Sequence, residues 1–293
     1  MDLKHFSGTC CVQTLHRDMK SKNFQHLLGG VLLLLLSGMI APAILMGVVS
    51  RPDVSPASIK NNDGIVDLEA LSRKVLELNK AKKHQEAMNI LLGALENNQE
   101  DELLRALLVQ SFELFLDDEI LLGQQKIFEN KHDVSAYLRV AGALELIGNS
   151  FQAKETLING ISLNPKASEL WLRIAHLEQK ETRDNEALDI YKEVIRLNPK
   201  SSNAYNNAAY IITQNYSHDT KDLNLAEGYA EMAIKLEPRN PDYIDTLAEV
   251  KYRKGNTLKA KSLMEKAIQL APGKESYKSR LKSFSSYSPL LFK

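Results

Sequence analysis

The chain has 293 residues, a hydrophobic fraction of 44%, 25% charged residues and a formal net charge of +0 at pH 7. That balance belongs to a globular protein with an ordinary core, and it gives no reason to expect nucleic acid as a partner. Aromatic residues make up only 6%, which suits an all-helical chain better than a β-sandwich, and the two cysteines are the neighbours Cys10 and Cys11, which cannot staple a core.

Residues 1–26 read as a short cytoplasmic segment. Cys10 and Cys11 lie in it as unmodified thiols, with a lipid-modified pair as the rival reading. Residues 27–49 carry no charge. As a helix this run would be about 34 Å long, enough to cross a hydrocarbon core of about 30 Å. Arg17, Lys20 and Lys22 precede it, and Arg51 and Lys60 follow it. The basic excess on the first side orients the segment N-in, C-out. The run therefore predicts a single-pass protein of the inner (cytoplasmic) membrane, with everything after it on the extracytoplasmic, periplasmic side. A cleaved signal peptide is the rival: Met19-Lys20-Ser21-Lys22 resembles a signal start, Met19 could be the initiator, and Ala41-Pro42-Ala43 resembles a cleavage site. Pro42 would kink a spanning helix. Ser37 and Ala41, and Ala43 and Gly47, are four apart, a spacing that lets two membrane helices pack closely and leaves homo-oligomerisation open.

Residues 50–64 read as a linker, with Pro52, Pro56 and the turn signal Asn61-Asn62-Asp63-Gly64. From Ile65 the pattern becomes helical. Leu68, Leu71, Val75 and Leu78 mark one helix, and Met88, Leu91, Leu92 and Leu95 a second. Ala87 and Ala94 are small enough to let the two pack closely. Residues 68–101 thus form a first helix pair. Residues 102–133 predict another, with Leu103, Leu104, Leu107, Leu108 and Phe112 on its first helix and Ile120, Leu121, Ile127 and Phe128 on its second.

Residues 134–167 and 168–201 then align at a 34-residue offset. Tyr137 matches Trp171, Ala141 matches Ala175, Ala153 matches Ala187, and Leu163-Asn164-Pro165 matches Leu197-Asn198-Pro199. A bulky residue early, an alanine in the middle and a proline at the end of a fixed period resemble the tetratricopeptide repeat. Residues 202–240 continue the register with Tyr205, Ala208, Ala226, Ala233 and Pro238, and five extra residues around 214–222 predict a longer loop. Asn215-Tyr216-Ser217 there is a glycosylation triplet, meaningful only in a eukaryotic secretory setting. Residues 241–274 close the array with Ala248, Ala260, Ala267 and Pro272. Residues 275–284 predict a single helix that caps the last pair through Tyr277, Leu281 and Phe284. The repeat domain is thus expected over 65–285, with a loose tail at 286–293.

The resemblance implies an all-α fold: a right-handed superhelical solenoid of about six helix pairs plus the capping helix, preceded by one transmembrane helix. It also implies a function. Members of this family bind a peptide or protein in the concave groove lined by each repeat's first helix. The positions that face such a groove fall here on Arg173 and His176, on Asn203, Asn206, Asn207 and Tyr210, and on Asp245, Glu249, Tyr252 and Arg253, with Glu169, Leu172, Gln179, Thr213 and Asp242 beside them. Amides can pair with an extended backbone, and tyrosines add apolar area with a polar tip. More acid than base along the set predicts a partner with some positive charge. Chaperone-tail binding is not expected, because of five clamp positions only Asn207 fits and Leu172, His176, Asp242 and Thr246 occupy the others.

No catalytic constellation is seen. The seven histidines show no metal-ligand spacing, and no phosphate-binding glycine loop or Gly-x-Ser-x-Gly occurs. The sequence therefore predicts a scaffold that binds a protein or extended peptide, without enzymatic activity, metal or cofactor, in envelope assembly, export or maturation. The alternative is a cleaved, soluble periplasmic or secreted accessory subunit of an enzyme complex.

Overall fold

A computed structural model describes residues 67–96, 101–215 and 220–286. Among these, twelve helices and no strand are found. They are α1 (Leu68–Lys80), α2 (His84–Leu95), α3 (Glu102–Glu129), α4 (Val134–Leu146), α5 (Ser150–Leu163), α6 (Ser168–Lys180), α7 (Asp184–Leu197), α8 (Ser202–Asn215), α9 (Thr220–Leu236), α10 (Pro241–Arg253), α11 (Thr257–Leu270) and α12 (Glu275–Ser286). The chain divides into two compact units, Met1–Asp118 and Glu119–Lys293, with the division inside α3.

Four of the helix hairpins turn in the same way. After α4, Asn149 N–H donates to Leu144 C=O at 2.8 Å and Gly148 N–H to Glu145 C=O at 3.1 Å. The same pair of bonds closes α1 (Lys83 to Leu78, Lys82 to Asn79), α6 (Arg183 to Glu178, Thr182 to Gln179) and α10 (Asn256 to Lys251, Gly255 to Tyr252). This motif satisfies two carbonyls at the helix end and needs one residue in the left-handed region. That residue is Gly148 at φ +83° and Gly255 at +80°, but Lys82 and Thr182 take it at +59°. A β-branched residue there is strained. Between hairpins the chain makes a second recurring turn. Ala167 N–H donates to Asn164 C=O, Ser201 to Asn198, Asn240 to Glu237 and Lys274 to Ala271. Each of these four turns has proline at its second position, where a fixed φ suits it: Pro165, Pro199, Pro238 and Pro272. The 34-residue register of the sequence is this alternation of two turns.

The alanines that mark the register are where helices touch. Ala87 in the first unit, and Ala141, Ala153, Ala175, Ala187, Ala208, Ala226, Ala248 and Ala260 in the second, are all 0% exposed. Around them larger side chains close the core, with Tyr137, Leu157 and Ile174 in one cluster and Tyr191, Val194 and Ile211 in the next. The early bulky residues of the two units 134–167 and 168–201 share a bond. Tyr137 donates from its hydroxyl to Lys131 C=O at 3.2 Å, and Trp171 from Nε1 to Pro165 C=O at 3.0 Å, each reaching six residues back. At the far end, Tyr277 and Phe284 are each 2% exposed and pack with Leu281 onto Ile244, Met264 and Ala267, as the capping helix requires.

The structure corrects the sequence reading at three places. Residues 102–133 do not form a helix pair: α3 runs unbroken for 28 residues. The stretch Glu113-Leu114-Phe115-Leu116-Asp117-Asp118-Glu119 holds no glycine, asparagine or proline to favour a break, although the turns at Lys82 and Thr182 form without those residues. Among the described residues there are thus five hairpins, α3 and the terminal α12. The extra residues of 202–240 do not all enter a loop either. They lengthen α9 to 17 residues against 14 for α5, α7 and α11, and only 216–219 separate it from α8.

The third correction concerns the membrane. Among the described residues no helix is long and apolar enough to cross one, and this overturns the expected single-pass, periplasm-facing localisation. The longest helix, α3, is interrupted along its length by Glu102, Arg105, Glu113, Asp117, Asp118, Glu119, Lys126 and Glu129. The run 27–49, the segment 1–26, the linker 50–64, the tail after Ser286 and most of the glycosylation triplet lie outside the described residues.

Candidate functional site

In the second unit the first helices of successive hairpins touch directly, α4 with α6 and α8 with α10. Their shared face is where the sequence places the groove. A ladder of charge crosses it. Arg139 on α4 reaches back to Glu119 at 2.6 Å, Arg173 on α6 to Glu145 at 2.6 Å, and Arg280 on α12 to Asp245 at 3.1 Å and Glu249 at 3.4 Å. Each arginine is the sixth residue of its unit, so one register position repeatedly ties a hairpin to its predecessor. These pairs are partly shielded from water, which makes them worth more than surface pairs.

The expected site residues fall into two groups. The first lies over α6 and α8. Asn207 donates from Nδ2 to His176 Nε2 at 3.1 Å and to the Tyr191 hydroxyl at 3.1 Å, with Asn203 Oδ1 also at 3.3 Å. Tyr191 in turn donates to Gln179 Oε1 at 2.8 Å. An amide nitrogen has two protons, so the two shorter bonds use both. Because Nε2 of His176 accepts, the ring is the neutral tautomer. Burial and, after it, the Arg173 guanidinium hold its pKa down at about 4. Burial likewise pushes the Tyr191 hydroxyl well above the usual tyrosine range. The His176 and Tyr191 rings meet at 5.8 Å between centroids. This group is closed: His176, Asn207 and Arg173 bond to other parts of the chain. Asn203 is the exposed member, and Asn206 Oδ1 is a buried acceptor that no donor reaches.

The second group lies over α8, α10 and α12. Tyr210 is 43% exposed. With Gln214, Glu249, Ser276, Ser279, Arg280 and Ser283 it lines an open cavity of about 420 Å³. Glu249 accepts from Arg253 Nε at 2.8 Å as well as pairing with Arg280. Asp245 Oδ1 sits within ion-pair distance of Arg280, yet no donor is aligned on it, so the contact is electrostatic without being a hydrogen bond. Burial raises the Asp245 pKa against the pull of Arg280, and Asp242 and Glu249 add to the rise. Asp242 goes the other way. Burial would raise it, but hydrogen bonds from Lys274 and from the Tyr277 hydroxyl, the latter at 2.6 Å, hold it below the usual carboxylate range. Tyr252 stacks on Phe284 at 4.3 Å and so joins the α10–α12 contact.

Two features escaped the sequence reading. The α12 side of the cavity was expected to be a cap only; Ser276, Ser279 and Arg280 make it a wall. The sixth-position arginine was the available signal, since Arg280 stands in its unit where Arg139 and Arg173 stand in theirs. The acid surplus is also corrected. Asp242, Asp245 and Glu249 face Lys274, Arg280 and Arg253, so the charge is balanced within the chain. Among the described residues no group of three or more histidine, cysteine or acidic side chains could hold a metal ion.

Comparison with known proteins bears on one hairpin directly. Residues 168–201, which form α6 and α7, match the family model of the tetratricopeptide repeat. No curated protein matches the chain. Among solved structures it is similar to residues 41 to the end of MamA from Desulfovibrio magneticus RS-1, at 16% identity and a TM-score of 0.46, over 52% of this chain and 83% of that one. It is similar to YrrB, a tetratricopeptide-repeat protein with an unusual peptide-binding site, at 17% identity and a TM-score of 0.47, over 66% and 97%. It is also similar to the first repeat domain of Spaghetti (RPAP3) bound to an HSP90 peptide, at 17% and 0.37, over 41% and 90%.

Proposed function

We propose that this chain is a protein-binding scaffold, and that an extended polypeptide segment lies on the first helices of its second unit, over α8, α10 and α12. One observation carries the reading. The cavity there is open, and the side chains of Tyr210, Gln214, Ser276 and Ser279 that line it make no hydrogen bond to another described residue, so polar groups and an aromatic face stand ready for a partner. The α6–α8 stretch beside it is closed on itself and supports the groove instead of lining the contact. A tyrosine anchor costs about 2 kcal/mol or more when truncated at an interface, and each 1.4 kcal/mol is about tenfold in affinity.

The test uses peptides selected from a random display library on the full chain. Tyr210→Ala should weaken them by at least about tenfold. Lys259→Ala, an exposed change on the second helix of the last hairpin, should leave affinity unchanged. If Lys259→Ala weakens binding and Tyr210→Ala does not, the partner uses another face and the reading is wrong.

A further inference from the structure

The groove's charged groups point to the kind of segment it accepts, an inference that rests on the reading just given. Three carboxylates project from α10, at Asp242, Asp245 and Glu249, and in isolation they would make a cationic site. Each is already met from within. Lys274 takes Asp242, Arg253 takes Glu249, and Arg280 lies between Asp245 at 3.1 Å and Glu249 at 3.4 Å. A lysine or arginine brought by a partner would have to displace Arg280 and leave it without its carboxylates. An acidic partner would have to draw Arg280 away from two partners on a partly buried wall. Both exchanges leave a partly buried charge unpaired, which is costly.

What stays available is neutral. The hydroxyls of Ser276, Ser279 and Tyr210 and the amide of Gln214 can each donate and accept. Asn206 Oδ1 and Asp245 Oδ1 also lack an aligned donor, but both atoms are buried and so are closed to a partner. An extended main chain offers alternating N–H and C=O groups, which match a wall of hydroxyls and an amide that can each donate and accept. We infer that the α8–α10–α12 groove selects an extended segment without charged side chains, held through its main-chain amides, and that Arg280 sets this preference by cancelling Asp245 and Glu249.

Three peptide pools of equal length are displayed to the full chain: one of hydroxyl, amide and small residues only, one with added Lys and Arg, one with added Asp and Glu. The uncharged pool should bind tightest, and its Kd should change by less than about twofold when salt rises roughly tenfold, since no exposed ion pair is screened. Arg280→Gln should move the preference to the Lys and Arg pool by at least about tenfold, because Asp245 then loses its cation and Glu249 keeps only Arg253. Glu249→Gln should move it the opposite way, towards the acidic pool, and it keeps the proposal testable if Arg280→Gln loosens α12; circular dichroism of each variant checks that. Preference for a charged pool by the unaltered chain, with a Kd that weakens about tenfold or more in salt, overturns this inference while leaving the groove intact as a binding site. Variants that fold and keep the original preference overturn it as well. If no pool binds, the protein-binding reading itself falls, and this inference with it.

Discussion

Two stretches of one face have the same sequence credentials and different physics. Over α6 and α8, Asn207, His176, Tyr191 and Gln179 bond to one another, and burial with the nearby Arg173 keeps the His176 ring neutral. Over α8, α10 and α12, the charges pair off, whereas the hydroxyls of Tyr210, Ser276 and Ser279 bond to no other described residue, and Tyr210 is 43% exposed. In the sequence register both stretches fall at positions expected to face a groove. A position in the register tells which way a side chain points; whether it is free for a partner depends on what the neighbouring hairpin brings to it. The first stretch should therefore govern stability and the second binding.

Acid is the strongest way to separate them. The unfolded chain takes a proton on His176 near the ordinary imidazole pKa of about 6.5, while the folded chain resists until about 4. A histidine with a depressed folded pKa contributes fully above the unfolded value and loses that contribution as pH falls between the two. The loss should approach about 3 kcal/mol by the bottom of that window, because each pKa unit is worth about 1.4 kcal/mol. Denaturant melts from pH 7 to 4 should show it, and His176→Gln should flatten this part of the profile. A profile unchanged by that substitution would break the comparison.

Next in size is Asn207→Ala. It leaves the buried Tyr191 hydroxyl and His176 Nε2 without their donor, an expected cost of about 2 kcal/mol. Peptide affinity should move less than it does for Tyr210→Ala, which in turn should leave the melting temperature nearly unchanged. Reversed outcomes would exchange the roles of the two stretches.

Two smaller changes act on the fold alone and should spare the groove. A Cβ on Gly160 would lie 2.8 Å from Tyr137 Cγ and 3.1 Å from Leu170 Cδ1, so the buried ring must shift. Overpacking of this kind costs about 1–3 kcal/mol, of which the better helix propensity of alanine returns up to about 1. Gly160→Ala should thus lower stability by up to about 2 kcal/mol on those magnitudes. Thr182→Gly works in the opposite direction. It relieves a β-branched residue at φ +59° and should stabilise the α6–α7 turn by about 1 kcal/mol. Thermal melts measure both. Loss of peptide binding in either variant would mean that the groove is coupled to the fold more tightly than two separate stretches allow.

How far these features could be read in the sequence follows from how local they are. The hairpins of the 34-residue register were legible because their turns are written in Gly148-Asn149, Gly255-Asn256 and the four prolines, and their contacts in the alanines. The unbroken α3 was misread because its apolar spacing fits two helices as well as one, and the absence of turn residues over 113–119 does not separate them, since the chain also turns without such residues at Lys82 and Thr182. The closure of Asn207 was not legible. It depends on Tyr191 arriving from the second helix of the preceding hairpin, sixteen residues away in sequence. Nor was the charge balance of the groove, because Lys274 and Arg280 come from beyond the last full hairpin, where the pattern promised only a lid.

The central claim is that a partner lies along α8, α10 and α12. Site-specific photocrosslinking tests it most directly. A benzophenone side chain is placed in the full chain at Tyr210, at Ser276 or at Lys259, and each protein is irradiated with a display-selected peptide. The account predicts crosslinks from positions 210 and 276 and none from 259. Crosslinking from 259 without crosslinking from 210 or 276 would contradict it.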